Sequence, residues 1–155
     1  MDTERRYERW CPDRLGTLPD PLVRIRSVRR EVLSQRLAFL EAYGRIPRVI
    51  LYALSPFGEE PARSFAVIRT YAGAEQWRVR ADQCIADRLS VMDPMQRPGW
   101  RLVLHLIHAG HADGVVALTY AAISQHVDEY EAQLHLVQHN GGFVALATSE
   151  TGGPR

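Results

Sequence analysis

The sequence predicts an α/β domain built on a four-stranded, mainly parallel sheet in the order 2-1-3-4, with helices on both faces and a helical extension in front. Three observations lead there. Short apolar runs rich in β-branched residues recur at 48–54, 115–119 and 142–148, as in strands buried on both faces. Between them lie segments whose apolar residues step by three and four, the period of a helix packed on one side. The two patterns alternate along the chain, and right-handed crossovers between parallel strands make 2-1-3-4 the most economical order.

Residues 11–21, CPDRLGTLPDP, form a proline-punctuated linker, and Asp20-Pro21 is the N-cap and first-turn pair of a helix. That helix is expected over 21–43, stopped by Gly44 and by Pro47 beyond it. Its apolar stripe, Ile25, Val28, Val32 and Phe39 with Leu33, Leu37 and Leu40 alongside, must dock on something. VILYAL supplies the first strand. After the loop SPFGEE, the residues Phe65, Ile68 and Ala72 recur at helical spacing up to Gly73. Trp77 to Ile85 alternates weakly and reads as the second strand. RPGW opens the next helix, Trp100 to Ile107, which gives way at Gly110 to the third strand, 115–119. Val127, Tyr130, Leu134 and Val137 mark the last helix, ended by Asn140-Gly141-Gly142, and FVALA is the last strand. The expected organisation is an arm and helix over 1–47, an α/β domain over 48–149 and a disordered tail over 150–155.

With 155 residues, 46% hydrophobic and 24% charged, the chain has the size and composition of one globular domain. No apolar run approaches the roughly 18 residues of a membrane span, and the charged start MDTERRYERW is unlike a secretory leader. A cytoplasmic protein without membrane contact is expected. Cys11 and Cys84 lack any ligand spacing and read as unpaired thiols. All 19 basic residues are arginine; residues 1–48 hold 11 of them against 7 acids, and residues 49–155 hold 8 against 11. Contact with DNA phosphates would therefore fall mainly to the amino-terminal part, through Arg24, Arg26, Arg29 and Arg30. At 100° per residue those four scatter around the helix axis, which favours a solvated, packed helix over a DNA-reading one. Tyr7 and Trp10, among Arg5, Arg6 and Arg9, fit either base stacking or an arm docked on the protein. His105, His108 and His111, with Asp113 behind them, share a spacing that suits zinc, but they also form the polar stripe of an otherwise apolar helix, and no metal or other cofactor is expected.

In this order of elements the residues from Val49 to Thr148 resemble the catalytic domain of the resolvase/invertase family of serine recombinases. The pieces that carry the resemblance are RTYAGAEQW at the end of a helix, Asp87 after the second strand, RPGW at the next helix, ADGVVAL in the central strand and HNGGFVAL at the last turn and strand. The resemblance implies a fold that places a serine nucleophile and a set of arginines around a DNA phosphodiester. The family carries the serine and one arginine in a tyrosine-x-arginine-x-serine motif. Here the corresponding stretch is Tyr52-Ala53-Leu54-Ser55-Pro56, so Tyr52 matches, leucine replaces the arginine, and Pro56 stands where the serine should be unless one residue is deleted and Ser55 takes the role. Where the family has an aspartate-arginine pair and a further arginine, this chain has Ala121, Ala122 and Gln125; Arg97 alone carries over. The implied remnant is thus Ser55 and Arg97 with Tyr52, Asp87 and Gln125.

Each missing preorganised donor removes about 2.7–4 kcal/mol of transition-state stabilisation. The expected protein is accordingly a non-catalytic relative acting as a binding or regulatory module, as a homodimer or with a protein partner. Two other readings stay open: a DNA strand-transfer enzyme using Ser55 with Arg97, and a DNA-binding accessory using the arginines of the front helix. The crevice between strands one and three should persist but be neutral, filled by Tyr52, Ser55, Tyr120, Ser124 and Gln125, with Asp87 the counter-charge of Arg97.

Overall fold

The computed structural model describes residues 20–55, 60–88 and 93–152. The expectations for Tyr7, Trp10, the amino-terminal arginines, Cys11, Pro56 and residues 153–155 lie outside them.

Helix α1 (Pro21–Ala42) begins as its sequence requires, with Asp20 Oδ1 accepting from Leu22 N at 2.9 Å and proline in the first turn. It is closed by Tyr43 and by Gly44, whose φ of 65° is a conformation glycine adopts without strain. Then follow β1 (Arg48–Leu54), α2 (Ala62–Ala74), β2 (Arg78–Asp87), α3 (Pro98–His108), β3 (Gly114–Ala117), α4 (Val127–His139) and β4 (Phe143–Leu146). Short 3-10 turns, Pro94–Gln96 and Tyr120–Ala122, lead into α3 and follow β3.

The sheet is parallel throughout and its order is β2-β1-β3-β4, as expected. All four residues of β3 and of β4 are buried, and so are the five central residues of β1, which is why these strands read as unbroken apolar runs. β2 differs. Between Val49 and Leu51 of β1 the pairing jumps from Val79 to Cys84 of β2, so the edge strand carries extra residues and its alternation is blurred.

Two cores flank the sheet. On one face Trp100, Val103 and Ile107 of α3 and Tyr130, Leu134 and Val137 of α4 pack on Ile50, Tyr52, Val115 and Val144. On the other, Ile68 and Ala72 of α2 pack with Trp77, Val49, Leu51 and Phe143. Helix α1 serves both: Ile25 joins the first core and Leu33, Leu37 and Leu40 join the second, with β4 between them. The stripe expected to seek a partner is therefore largely covered by the chain's own domain. Val28 and Phe39, assigned to that stripe from spacing, are on the exposed side.

Helix α1 is also pinned by charge. Arg29 Nε and Nη2 donate to the two carboxylate oxygens of Glu150 at 2.7 and 2.8 Å. The Tyr130 hydroxyl donates to Glu150 Oε2 at 2.8 Å, and all three side chains are buried. This corrects two expectations. Arg29 cannot meet a phosphate from inside the protein, and the segment expected to be a disordered tail from residue 150 starts with an anchored residue. Burial pushes the Glu150 pKa up, but the hydrogen bonds and charge of Arg29 outweigh it, leaving the carboxyl below its ordinary value.

A depressed carboxyl pKa contributes stability that is fully present above the unfolded value and is lost as pH falls through the folded one. Replacing Glu150 by Gln strands a buried guanidinium, so Glu150→Gln is expected to lower unfolding free energy by about 3–5 kcal/mol at neutral pH. Urea titrations should show the gap to wild type closing as pH falls below ~4.3, the ordinary glutamate value. A gap independent of pH would separate the effect from the ion pair.

Candidate functional site

The carboxyl ends of β1 and β3 face the point where the strand order reverses, which is where open parallel sheets place ligands. Four elements meet there. Ser55 follows β1, is buried, and its backbone N–H donates to the Asp87 carbonyl at 2.9 Å. Asp87 ends β2, and its side chain is the most heavily used acceptor at this end of the sheet. Its Oδ1 accepts from Gly99 N at 2.9 Å, and its Oδ2 accepts from Trp100 N at 2.9 Å and from the Tyr52 hydroxyl at 2.8 Å. Two amides of the first turn of α3, which have no partner within the helix, are satisfied this way.

Gly99 is required by that arrangement: a Cβ there would lie 2.7 Å from an Asp87 carboxylate oxygen. The resemblance between RPGW and a family motif thus has a local cause. Proline starts the helix, and glycine lets the carboxylate reach its amides. Tyr52 is packed edge-on against Trp100 with ring centroids 5.1 Å apart, and Trp100 Nε1 donates to Gln133 Oε1 at 2.7 Å. Burial, then the bond to Asp87 and its charge, push the Tyr52 pKa far above the ordinary tyrosine value; Arg97 opposes the shift. The phenol stays protonated and donating. It is no base.

Arg97 is buried, and its Nη1 donates to the carbonyls of Ala122 at 3.1 Å and Ile123 at 2.7 Å. The one arginine carried over from the motif therefore ties the turn after β3 to the start of α3. Between the ends of β1 and β3 a recess of ≈ 180 Å³ is lined by Ala53, Leu54, Ser64, Leu118, Thr119, Ala121, Ala122 and Gln125. Among the described residues no charged side chain lines it. These residues differ from the set expected to fill the crevice. Of the residues assigned to it, Gln125 is in its wall, whereas Tyr52 points to Asp87, Ser124 donates to Glu129 Oε2 at 2.7 Å, and Tyr120 rests on Tyr130 with centroids 5.3 Å apart.

The solved structures similar to this chain include two catalytic domains. The C-terminal catalytic domain of ISC1926 TnpA, an IS607-like serine recombinase, matches with a TM-score of 0.58 and 18% identity, over 66% of this chain and 70% of that one. The N-terminal catalytic domain of TP901-1 integrase matches with a TM-score of 0.52 and 21% identity, over 64% of this chain and 76% of that one. The fold is that of a serine recombinase catalytic domain. No family model and no curated protein sequence matches the chain.

Within this serine recombinase fold the residues expected to form a remnant site divide. Tyr52, Asp87 and Arg97 converge at the start of α3, while Gln125 is on the far side of the turn in the recess. The arginines of α1 do not form one surface: Arg24 pairs with Glu131, Arg26 donates to Thr151 at 2.8 Å, Arg29 is inside the clasp with Glu150, and Arg30 is exposed. Asp113, set behind the histidines by sequence, faces Arg45 and Arg48 instead. Sequence reasoning missed Gln133 and Glu150, each joined to a partner by tertiary contact with no local pattern to announce it, and Glu129 at the start of α4, whose partner Ser124 is five residues away.

A structural role for the Tyr52–Asp87 pair predicts losses of stability. Tyr52→Phe should cost about 1.5–3 kcal/mol, the range for a hydrogen bond to a charged group. Asp87→Ala should cost more, because it orphans two helix amides as well as the hydroxyl. Denaturant unfolding of both variants checks the order, and equal losses would contradict it.

Proposed function

We propose that this chain is a non-catalytic protein of the serine recombinase fold, working in the cytoplasm as a binding or regulatory module in a process related to DNA recombination. The observation that carries the reading is the chemistry around the switch point. A phosphodiester held for attack needs cations aimed at its oxygens and a nucleophile able to reach its phosphorus. Among the described residues Ser55 is buried, Arg97 is held by contacts that include two backbone carbonyls, and the recess beside them is walled by apolar groups, hydroxyls and one amide. The alternatives lose support for the same kind of reason. A strand-transfer enzyme would have to break the Arg97 contacts, and a DNA accessory using α1 would have to release Arg24 and Arg26 from Glu131 and Thr151. Self-association through the stripe of α1 loses support too, since that stripe is covered within the chain, and a partner protein is the occupant we favour.

The test is incubation with supercoiled and with nicked DNA, followed by denaturing electrophoresis. No covalent protein–DNA adduct is expected from the wild type. An adduct that forms with the wild type and disappears in Ser55→Ala would restore the enzyme reading.

A further inference from the structure

The described residues that line the switch-point recess are uncharged, whereas arginines gather at the opposite end, around the amino ends of the strands. Two adjoining grooves open there. One, of ≈ 160 Å³, is bordered by Arg36, Phe39 and Arg45 with Asp113 in its wall. The other, of ≈ 330 Å³, is bordered by Arg45, Ile46, Arg48 and Arg78. Arg45 belongs to both, which makes them one surface. Four arginines border it against one aspartate, and that aspartate is already engaged by Arg45, by Arg48 and by the Arg48 backbone N–H at 2.9 Å.

The same surface exposes apolar side chains. Phe39, Tyr43 and Ile46 are 54%, 70% and 51% exposed, and the rings of Phe39 and Tyr43 pack on each other with centroids 4.9 Å apart. Aromatic residues and arginine together are the composition that protein interfaces favour.

We infer that this amino-end face docks an acidic, apolar-bearing segment of a partner protein, with carboxylates on the arginines and apolar side chains against Phe39 and Ile46. Charge complementarity sets the sign of the partner. Ile46 sets its class: an aliphatic side chain gains by covering another apolar group, and the neighbouring Phe39 and Tyr43 rings, on which a base could stack, are packed on each other. The inference rests on the binding-module reading and names the part of the surface that does the binding.

The experiment uses the full chain and three fluorescent probes: a short synthetic peptide alternating aspartate with leucine and phenylalanine, a polyglutamate peptide, and a single-stranded oligonucleotide. Anisotropy is read at low and at physiological salt. The mixed peptide is expected to bind more tightly than polyglutamate. Arg36→Ala with Arg78→Ala should weaken it about tenfold, and so should Phe39→Ala with Ile46→Ala, these being the losses of side chains that count at an interface. All four positions are away from the buried core, and circular dichroism checks that the variants fold. Absence of peptide binding, or binding indifferent to both pairs, overturns the proposal. So does an oligonucleotide that binds more tightly than the peptide and ignores the Ile46 substitution. A Ser55-dependent DNA adduct would defeat the non-catalytic reading by a different readout, leaving the peptide result to be judged by itself.

Discussion

The carboxylate of Asp87 holds the carboxyl end of this domain together. One side chain at the end of an edge strand receives two amides of a helix and the hydroxyl of a tyrosine from the neighbouring strand. Each contact constrains a different element. The amides fix where α3 starts, the hydroxyl fixes the rotamer of Tyr52, and the backbone carbonyl of the same residue receives Ser55. Because Arg97 precedes the helix that Asp87 anchors, its reach to Ala122 and Ile123 is set as well, and with it the turn after β3. A group already accepting three hydrogen bonds is a structural hub first, whatever chemistry a related fold conducts at the same place.

The fold was largely legible because its information is local. Apolar runs, proline and glycine stops and an Asp-Pro cap mark elements from residues adjacent in sequence, and crossover handedness does the rest. β2 was the weakest element to read, and the reason is the bulge opposite Val49 and Leu51, which shifts residues between faces and blurs a period of two. The stripe of α1 misled for a related reason: a helix that passes an edge strand and meets both cores does not present a single apolar face. Ile25 goes one way and Leu33, Leu37 and Leu40 go another.

The site was legible in composition and not in wiring. That the crevice would carry almost no charge was read from Leu54, Ser55, Pro56, Tyr120, Ala121 and Ala122, and the described residues of its wall are uncharged. Which polar groups would meet did not follow, since Asp87 with Trp100, Trp100 with Gln133 and Arg29 with Glu150 are joined only by the folded chain. Spacing alone also made Arg29 look like its neighbours in α1, and only burial separates it from them. The Arg29–Glu150–Tyr130 cluster is costly to desolvate and gains its net value from full satisfaction of the carboxylate. Its effect is geometric: it fixes the extension against α4 and the segment after β4.

Helix α1 has one more effect, which arises from where it lies. An exposed edge strand offers unpaired amides and carbonyls to any passing extended chain. Here α1 packs along β4, so that edge is shielded, and the opposite edge, β2, departs from a regular ladder at its bulge and carries the exposed arginines 78 and 80. Sheet extension is discouraged on both sides, by cover on one and by irregularity with charge on the other. A chain with these edges resists growing into strand-to-strand polymers, and contacts with other proteins are left to its side chains.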